Sequence, residues 1–556
     1  MGSAVKVFSL IFSFQTLAFC FALSANELDT TIVSENIKKI YSAEFSPELM
    51  NQRPNKYIGD STVSADPNPN LKQNVVLADN RSLWDLAQGK MESKFQEAQC
   101  RWLNKHTGNK GCKLVGEKAS WETIDHANRP EALMKGWLSQ VEKSLDKIPT
   151  QGQTSIDLWS DDYWRLEWGG ISYRYYYKDY FDNYRDAISS YFQPSNWEKL
   201  LASLPAARLS QEIETWAPSE KYDLSVNDLK FNLTNEQKRE GEAFVDESGN
   251  VESWMGLCHG WAAAAIMAPK PTRSVEFWGP EGTRLKFFPH DIRALTSLAW
   301  ANGDFVTSFV GERCNNKTPE FFENGRIKDS DCFDNNPGSF HLALGNMIGI
   351  AKASFVMDAA FDYQVWNQPI QAYALRYFSP LEPNQQSSHW AEVAVPYDSK
   401  FKSIDPFQKP LTRGVKNWRT GVYDDSEISK IVGVIVTVVY LGEVAPLHGE
   451  RASSENLIRV TYTYDLELTQ RETGFEVTGG EWHSNAHPDF LWVPSKGAVA
   501  HSSLDQYGVG FTGRENPPDR ITRGGQMASQ GGYPLCPVIS KLLKESSAQE
   551  YSCPVW

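Results

Sequence analysis

The stretch MGLCHGWAAAA, Met255 to Ala265, sets a thiol between two glycines and runs it into four alanines. Alanine is the strongest helix former and glycine a poor one, so the chain passes from breaker to former at this point. The pattern places Cys258 at or near a helix N-terminus. Free N–H groups and the helix dipole there favour a thiolate and can hold an oxyanion. Gly256 and Gly260 keep bulk away from the sulfur, and Trp261 with the alanines suits a helix packed closely into a core. Taken by itself, a buried cysteine is more often a small hydrophobe than a nucleophile. The rest of the chain has to decide between the two.

The chain has 556 residues, more than one core usually holds, so two or three domains are expected. A composition of 41% hydrophobic and 22% charged residues is that of a globular protein. The formal net charge of -14 argues against nucleic acid as a partner. The 19 Trp, 22 Tyr and 28 Phe point to aromatic clusters, in cores or along a substrate cleft. At the start of the chain, Lys6 precedes an apolar run from Val7 to Leu23, and Ala22-Leu23-Ser24 offers small residues at a cleavage site. Residues 1–24 therefore read as a secretory signal. No later run is apolar enough to span a membrane, so the protein is expected outside the cell membrane: extracellular, in the cell wall or in the periplasm.

Export changes the meaning of the cysteines. Cys20 leaves with the signal. Six of the remaining seven fall into close pairs, Cys100–Cys112, Cys314–Cys332 and Cys536–Cys553, although sequence alone does not fix connectivity. Cys258 is left over, and an unpaired thiol in an exported protein is a candidate for reactivity. Such a nucleophile needs a base, usually His, and a group to orient it. His259 is adjacent, but neighbours on a helix do not face each other. His483 and His487 are four apart, yet Pro488 argues against a helix there. His290 follows a proline at an apparent helix start. His341 opens SFHLALGNMIGI, an apolar stretch compatible with a buried strand, and Asp358 closes the next apolar run, SFVM. Two such strands would bring His341 and Asp358 side by side, with Asp362 as a nearby rival. A capping or turn role is the plainer account of Asp358.

Several segments then match a known family. VWNQP, Val365 to Pro369, resembles the start of the elicitor peptide embedded in the secreted transglutaminases of oomycete cell walls. GLCHGWAAAA resembles that family's cysteine motif, SFHLALGNMIG its histidine segment, and WSDDYW (Trp159–Trp164) with GGISYRY (Gly169–Tyr175) its upstream aromatic motif. GGEWHSNAHPDFLW also looks familial. The resemblance implies calcium-dependent cross-linking of glutamine to lysine at a papain-like cysteine centre. It carries Cys258 onto the nucleophile, and His341 and Asp358 onto the base and its orienting carboxylate. It also implies a host immune receptor as a partner through Val365–Pro369. Beyond Pro369 the chain reads Gln371, Ala372, Tyr373 and Ala374, so both basic residues of the family's peptide are lost. That departure bears on immune recognition and leaves catalysis untouched.

The fold class expected is α+β: a papain-like core of helix against antiparallel sheet, with helical N-terminal and strand-rich C-terminal additions. After the signal, residues 25–75 read as a polar pro-region or linker ending in SADPNPNLKQN, and 76–245 as a helical region. The catalytic core is expected over 246–425. Residues 426–556 read as β-rich, because ISKIVGVIVTVVYLGE and NLIRVTYTYDLELTQ alternate β-branched residues. Helical periodicity marks SLWDLAQGKMESKFQEAQCRWL and EALMKGWLSQVEKSLDKI. A short helix, clipped by a disulfide, is expected near the C-terminus.

Asp329, Asp331 and Asp334 form an acidic loop whose oxygen ligands would suit calcium. Its spacing is not that of an EF-hand, so the metal ligands are left unassigned and calcium rests on the resemblance. The expected chemistry is acyl transfer. Cys258 attacks the carboxamide of a protein glutamine, His341 handles the protons, Asp358 orients the imidazole, and a lysine amine takes the acyl group. Trp254 and Trp366 are candidate substrate-binding walls, and so are Trp159 and Trp164, although core packing explains each about as well. A secreted papain-like cysteine peptidase shares this machinery with water as acceptor. A non-enzymatic surface or elicitor protein is the third reading.

Overall fold

Alternation of β-branched and aromatic residues builds the dominant element, a large antiparallel sheet. The computed structural model describes residues 75–77, 129–175, 184–190, 203–311, 313–314, 316, 319–320, 335–360, 363–405, 413–416, 423–483 and 487–554. Its principal strands are β1 (Phe305–Gly311), β2 (Val356–Asp358), β3 (Asn367–Ser379), β4 (Ile428–Gly442), β5 (Asn456–Arg471), β6 (Gly474–Trp482) and β7 (Phe490–Pro494). Three helices matter for the site: α1 (Cys258–Met267), α2 (Pro289–Asn302), which packs on it, and α3 (Pro337–Ala343), which carries His341. The spatial order is β1-β7-β2-β3-β4-β5-β6, with Val75–Leu77 added in parallel outside β1. The late strand β7 thus lies between β1 and β2, antiparallel to both. The sheet also crosses residue 425, since β4 pairs directly with β3.

Period two decides which face is buried. On β4, Val432, Val434, Val436, Val438 and Tyr440 are all inaccessible, as are Tyr464, Leu466 and Leu468 on β5. Burying each aliphatic chain stabilises by roughly 1.5–3 kcal/mol, and a one-residue slip would expose the whole set, so the register is strongly fixed. Against this face pack Phe340 and Leu342 of α3 and Met347 and Ile348 of the helical turns that follow it. The result is a mixed α/β architecture with the core under a long antiparallel sheet.

Two expected elements differ. SFHLALGNMIGI is not a strand: α3 runs through His341 and continues as a π-helix over Leu344–Ile350. Asn336 caps its start, its side chain accepting from the Gly338 N–H, with Pro337 at the first helical position. An apolar run of this length suits a buried helix as well as a strand, and the cap decides. EALMKGWLSQVEKSLDKI is helical only over Pro130–Met134. Gly136 then takes φ 82° and ends it, and Leu145 and Ile148 reach the core through turns instead. The strands expected at ISKIVGVIVTVVYLGE and NLIRVTYTYDLELTQ are β4 and β5, and the C-terminal helix is Cys536–Ser547.

A buried ion cluster fastens the segment before β4. The Arg413 guanidinium grips Asp405, and its two terminal nitrogens bond Asp465 of β5 at 2.7 and 2.9 Å. His483 Nε2 lies 2.9 Å from the same Asp465 carboxylate. Among the described residues, no helix is long and apolar enough to cross a membrane.

Candidate active site

Helix α1 begins at Cys258 itself and, apolar apart from His259, is buried on nearly every side. Its glycines have steric reasons. A Cβ on Gly260 would strike the Ser297 carbonyl and stand 2.7 Å from Ala301 Cβ, so α1 and α2 meet backbone to backbone there. A Cβ on Gly256 would strike the Tyr163 carbonyl. The WSDDYW segment is laid along α1 by hydrogen bonds. Trp261 Nε1 donates to the Trp159 carbonyl at 2.9 Å, Trp159 Nε1 to the Ala268 carbonyl at 3.2 Å, and the Leu257 N–H to the Tyr163 carbonyl at 2.5 Å.

The sulfur of Cys258, 5% exposed, sits against the VWNQ segment. The thiol points at the Val365 carbonyl, 3.8 Å away, and Asn367 Nδ2 donates to the sulfur at 3.4 Å. The Asn367 carbonyl oxygen in turn accepts from Trp492 Nε1 at 2.7 Å. Burial pushes the thiol up to about 11. The Asn367 side chain and backbone N–H oppose this, and the charges of Glu443 and Asp358 reinforce it. The helix start favours a thiolate and burial opposes it, and burial is the larger effect. A helix N-terminus contributes typically 0.3–1 kcal/mol, whereas a rise from 9.0 to about 11 corresponds to about 3 kcal/mol against ionisation.

Asp358 is buried, and its charge disfavours the thiolate. It closes β2 opposite Asn367 at the start of β3, and its Oδ1 accepts from the Trp366 N–H at 2.8 Å and the Ala360 N–H at 3.2 Å. His341 stands elsewhere in the bonding pattern. Its Nδ1 is 3.0 Å from the Tyr464 hydroxyl, and its Nε2 is buried without a hydrogen-bond partner, so neither nitrogen bonds Cys258 or Asp358. The helical form of its segment accounts for this, because α3 turns the ring onto the tyrosines of the sheet face. Tyr464 and Tyr377 flank it at ring-centroid distances of 6.1 and 6.5 Å. Burial pulls the imidazole down to about 3, so it is neutral.

Trp366 is 5% exposed and meets Tyr163 edge to face at 5.3 Å. Trp254 is half-buried. Its indole N–H donates to Glu252 at 2.6 Å, its ring meets Tyr363 edge to face, and Arg313 sits over it. Trp159 and Trp164 are both buried in the core. Cys536–Cys553 is a disulfide, Cys314 is disulfide-bonded, and Cys258 is the one free thiol among the described cysteines. Residues 1–24, Cys100, Cys112, Cys332, Asp329, Asp331, Asp334 and Asp362 lie outside the described residues. Among those described, no group of three or more His, Cys, Asp or Glu could hold a metal ion.

Three site residues were not singled out from sequence. Asn367 and Trp492 lie in quoted segments, VWNQP and DFLW, but nothing in the spacing shows that one holds the other. Glu443, bonded by Gln368 Nε2 at 2.6 Å, follows the end of β4 and carries no motif. The first two were discoverable from their motifs, the third from no local signal.

A family model described as transglutaminase elicitor matches residues 131–515. Among solved structures, the chain is similar to the GP42 transglutaminase from Phytophthora sojae, at 17% sequence identity and a TM-score of 0.46, covering 76% of this chain and 98% of that one. No curated protein matches it.

Proposed function

The chain belongs to the transglutaminase elicitor family, and from that membership we propose that it is a secreted acyltransferase joining protein glutamine to lysine amines through a thioester on Cys258. The observation that carries this reading is the thiol itself. It is free, it begins a buried helix, and an amide N–H faces its sulfur. A cysteine kept only for packing has no use for such a donor.

In the proposed reaction the Cys258 sulfur, having given up its proton, attacks the side-chain carboxamide of a glutamine. Ammonia departs with a proton delivered by the base, and a C–S bond remains. A lysine amine attacks that thioester and gives up a proton to the base, the C–S bond breaks with its electron pair returning to sulfur, and an isopeptide is left. Trp366 and Tyr163 share the buried cluster that holds Cys258, and the half-buried Trp254 packs against it; in this reading they form the aromatic wall of the site. Excluding water in this way protects a thioester until an amine arrives. We retain His341 as base and Asp358 as its orienting carboxylate, in a papain-like arrangement. The described state is then a resting one, in which burial keeps the thiol protonated and His341 remains bonded to Tyr464. Calcium dependence is part of the same proposal, and no step above runs through the ion.

The test uses the mature protein with a glutamine-containing protein and a labelled primary amine, with and without a chelator. Transfer predicts ammonia release and amine fixed to glutamine side chains, lost in Cys258→Ser, in His341→Ala and, in part, in Asp358→Asn. New backbone N-termini without amine incorporation would establish the peptidase reading instead. Full activity in His341→Ala would remove that residue from the mechanism while leaving Cys258 in place. Incorporation that persists in the chelator would remove calcium.

Val365, Trp366, Asn367 and Gln368 are 6%, 5%, 4% and 1% exposed. Any receptor for this segment would have to meet it in a cleaved or unfolded chain, and we propose recognition only in that form.

A further inference from the structure

Side-chain amides present two different ends, and a buried one works only if something fixes which end faces its target. Asn367 is 4% exposed, and the two groups at its ends are Cys258 and Trp492. An indole N–H can only donate, so Trp492 Nε1, 2.7 Å from Oδ1, selects the carbonyl end for itself. The amide N–H end is thereby left facing the sulfur at 3.4 Å. Turning the amide over would set N–H against N–H in a buried site and leave the sulfur facing an oxygen. Trp492 cannot easily yield, being fully buried in β7, opposite Val356 of β2. The backbone N–H of Asn367 also favours the charged sulfur.

We propose that Asn367 is a catalytic residue that donates to the Cys258 sulfur whenever that sulfur carries charge, and that Trp492 is a positioning residue that locks the amide in the donating orientation. The sulfur is anionic twice in the reaction, before it attacks and again when the amine expels it from the thioester. A hydrogen bond to a charged group is roughly twice as strong as one between neutral groups, so a single locked donor favours both moments over the resting thiol. The inference rests on Cys258 being the nucleophile, but its test reads the thiol and not the transfer, so the two can fail separately.

The experiment follows iodoacetamide labelling of Cys258 in the full mature chain by peptide mass spectrometry, as a function of pH. Thermal unfolding of each variant confirms that it is folded. Asn367→Leu removes the donor and should slow labelling at pH 8 by about tenfold, moving the profile to higher pH. Asn367→Asp keeps the shape, replaces the donor by an anion, and should slow it further. Trp492→Phe keeps Asn367 but releases the amide, and should slow labelling by about two- to fivefold, which a merely structural tryptophan would not do in this direction. Wild-type profiles in folded Asn367→Leu and Asn367→Asp would overturn the donor role. An unchanged profile in Trp492→Phe would overturn the lock, and this variant and Asn367→Asp still decide if Asn367→Leu fails to fold. A native wild-type thiol that stays unlabelled at every pH, while the denatured chain labels, would also overturn the proposal, since the donor would then serve no reachable sulfur.

Discussion

Raising the pH across the resting enzyme should reveal a protonated thiol. With the thiol pushed up to about 11 by burial, about one molecule in a thousand carries thiolate at pH 8. A thiol left at 9.0 would carry about one in ten, so Cys258 should alkylate about a hundredfold more slowly than an ordinary cysteine, before any loss from restricted access. The rate should climb about tenfold per pH unit through pH 9 and 10 without levelling. The assay is iodoacetamide labelling under native conditions, read on the Cys258 peptide, with the denatured chain as reference. A plateau already reached near pH 7 would refute the reasoning. It would mean that a cation, such as a protonated His341, stands beside the sulfur in the resting state and that the hydrogen bond from His341 to Tyr464 is not the dominant arrangement. Adding a glutamine peptide gives a second reading. If substrate binding assembles the acid–base pair, labelling at pH 7 should rise before the peptide competes it away.

Further outcomes concern stability. Arg413→Met should cost about 3–5 kcal/mol in chemical denaturation, because Asp405 and Asp465 would remain buried without their cation; a loss under about 1 kcal/mol would show that the cluster is dispensable. Burial lowers His259 and His487 to about 4 and His341 to about 3, so the unfolded chain binds these protons first as pH falls below about 6.5. The contribution is fully present above that value and is lost progressively down toward pH 3, so urea midpoints that stay flat between pH 7 and 5 would contradict it. Gly260→Ala gains about 1 kcal/mol of helix propensity but places a methyl group against Ser297 and Ala301. Overpacking costs about 1–3 kcal/mol, so the variant should be less stable; equal or greater stability by thermal unfolding would mean that α1 and α2 are not in backbone contact.

The helix at Cys258 and the strands β4 and β5 were legible because each is a local pattern: breaker then former in one case, alternation in the other. The close approach of α1 to α2 was half legible. Gly256 and Gly260 announce that bulk is excluded, but only the fold shows that the excluding atoms belong to Tyr163, Ser297 and Ala301. The strand expected at His341 proves to be a helix: an apolar run does not reveal its period, and the deciding cap, Asn336, lies upstream of SFHLALGNMIGI. The burial of Cys258 was not legible for a different reason. A helix start is visible in sequence, whereas depth of burial is set by Trp366, Val365 and Trp492, which are distant in the chain and arrive through sheet pairing.

The placement of β7 also orders events during synthesis. Phe490–Pro494 must slot between strands at 305–311 and 356–358 that left the ribosome much earlier. Without it, each of those two strands would keep one edge unpaired. Trp492 travels in that strand, so the Asn367 amide gains its partner only when nearly the whole protein has been made. Chains truncated before residue 490 should therefore be more than short. They should carry an Asn367 amide without its partner and two unpaired edges, and be cleared or aggregated rather than accumulate as partly active enzyme.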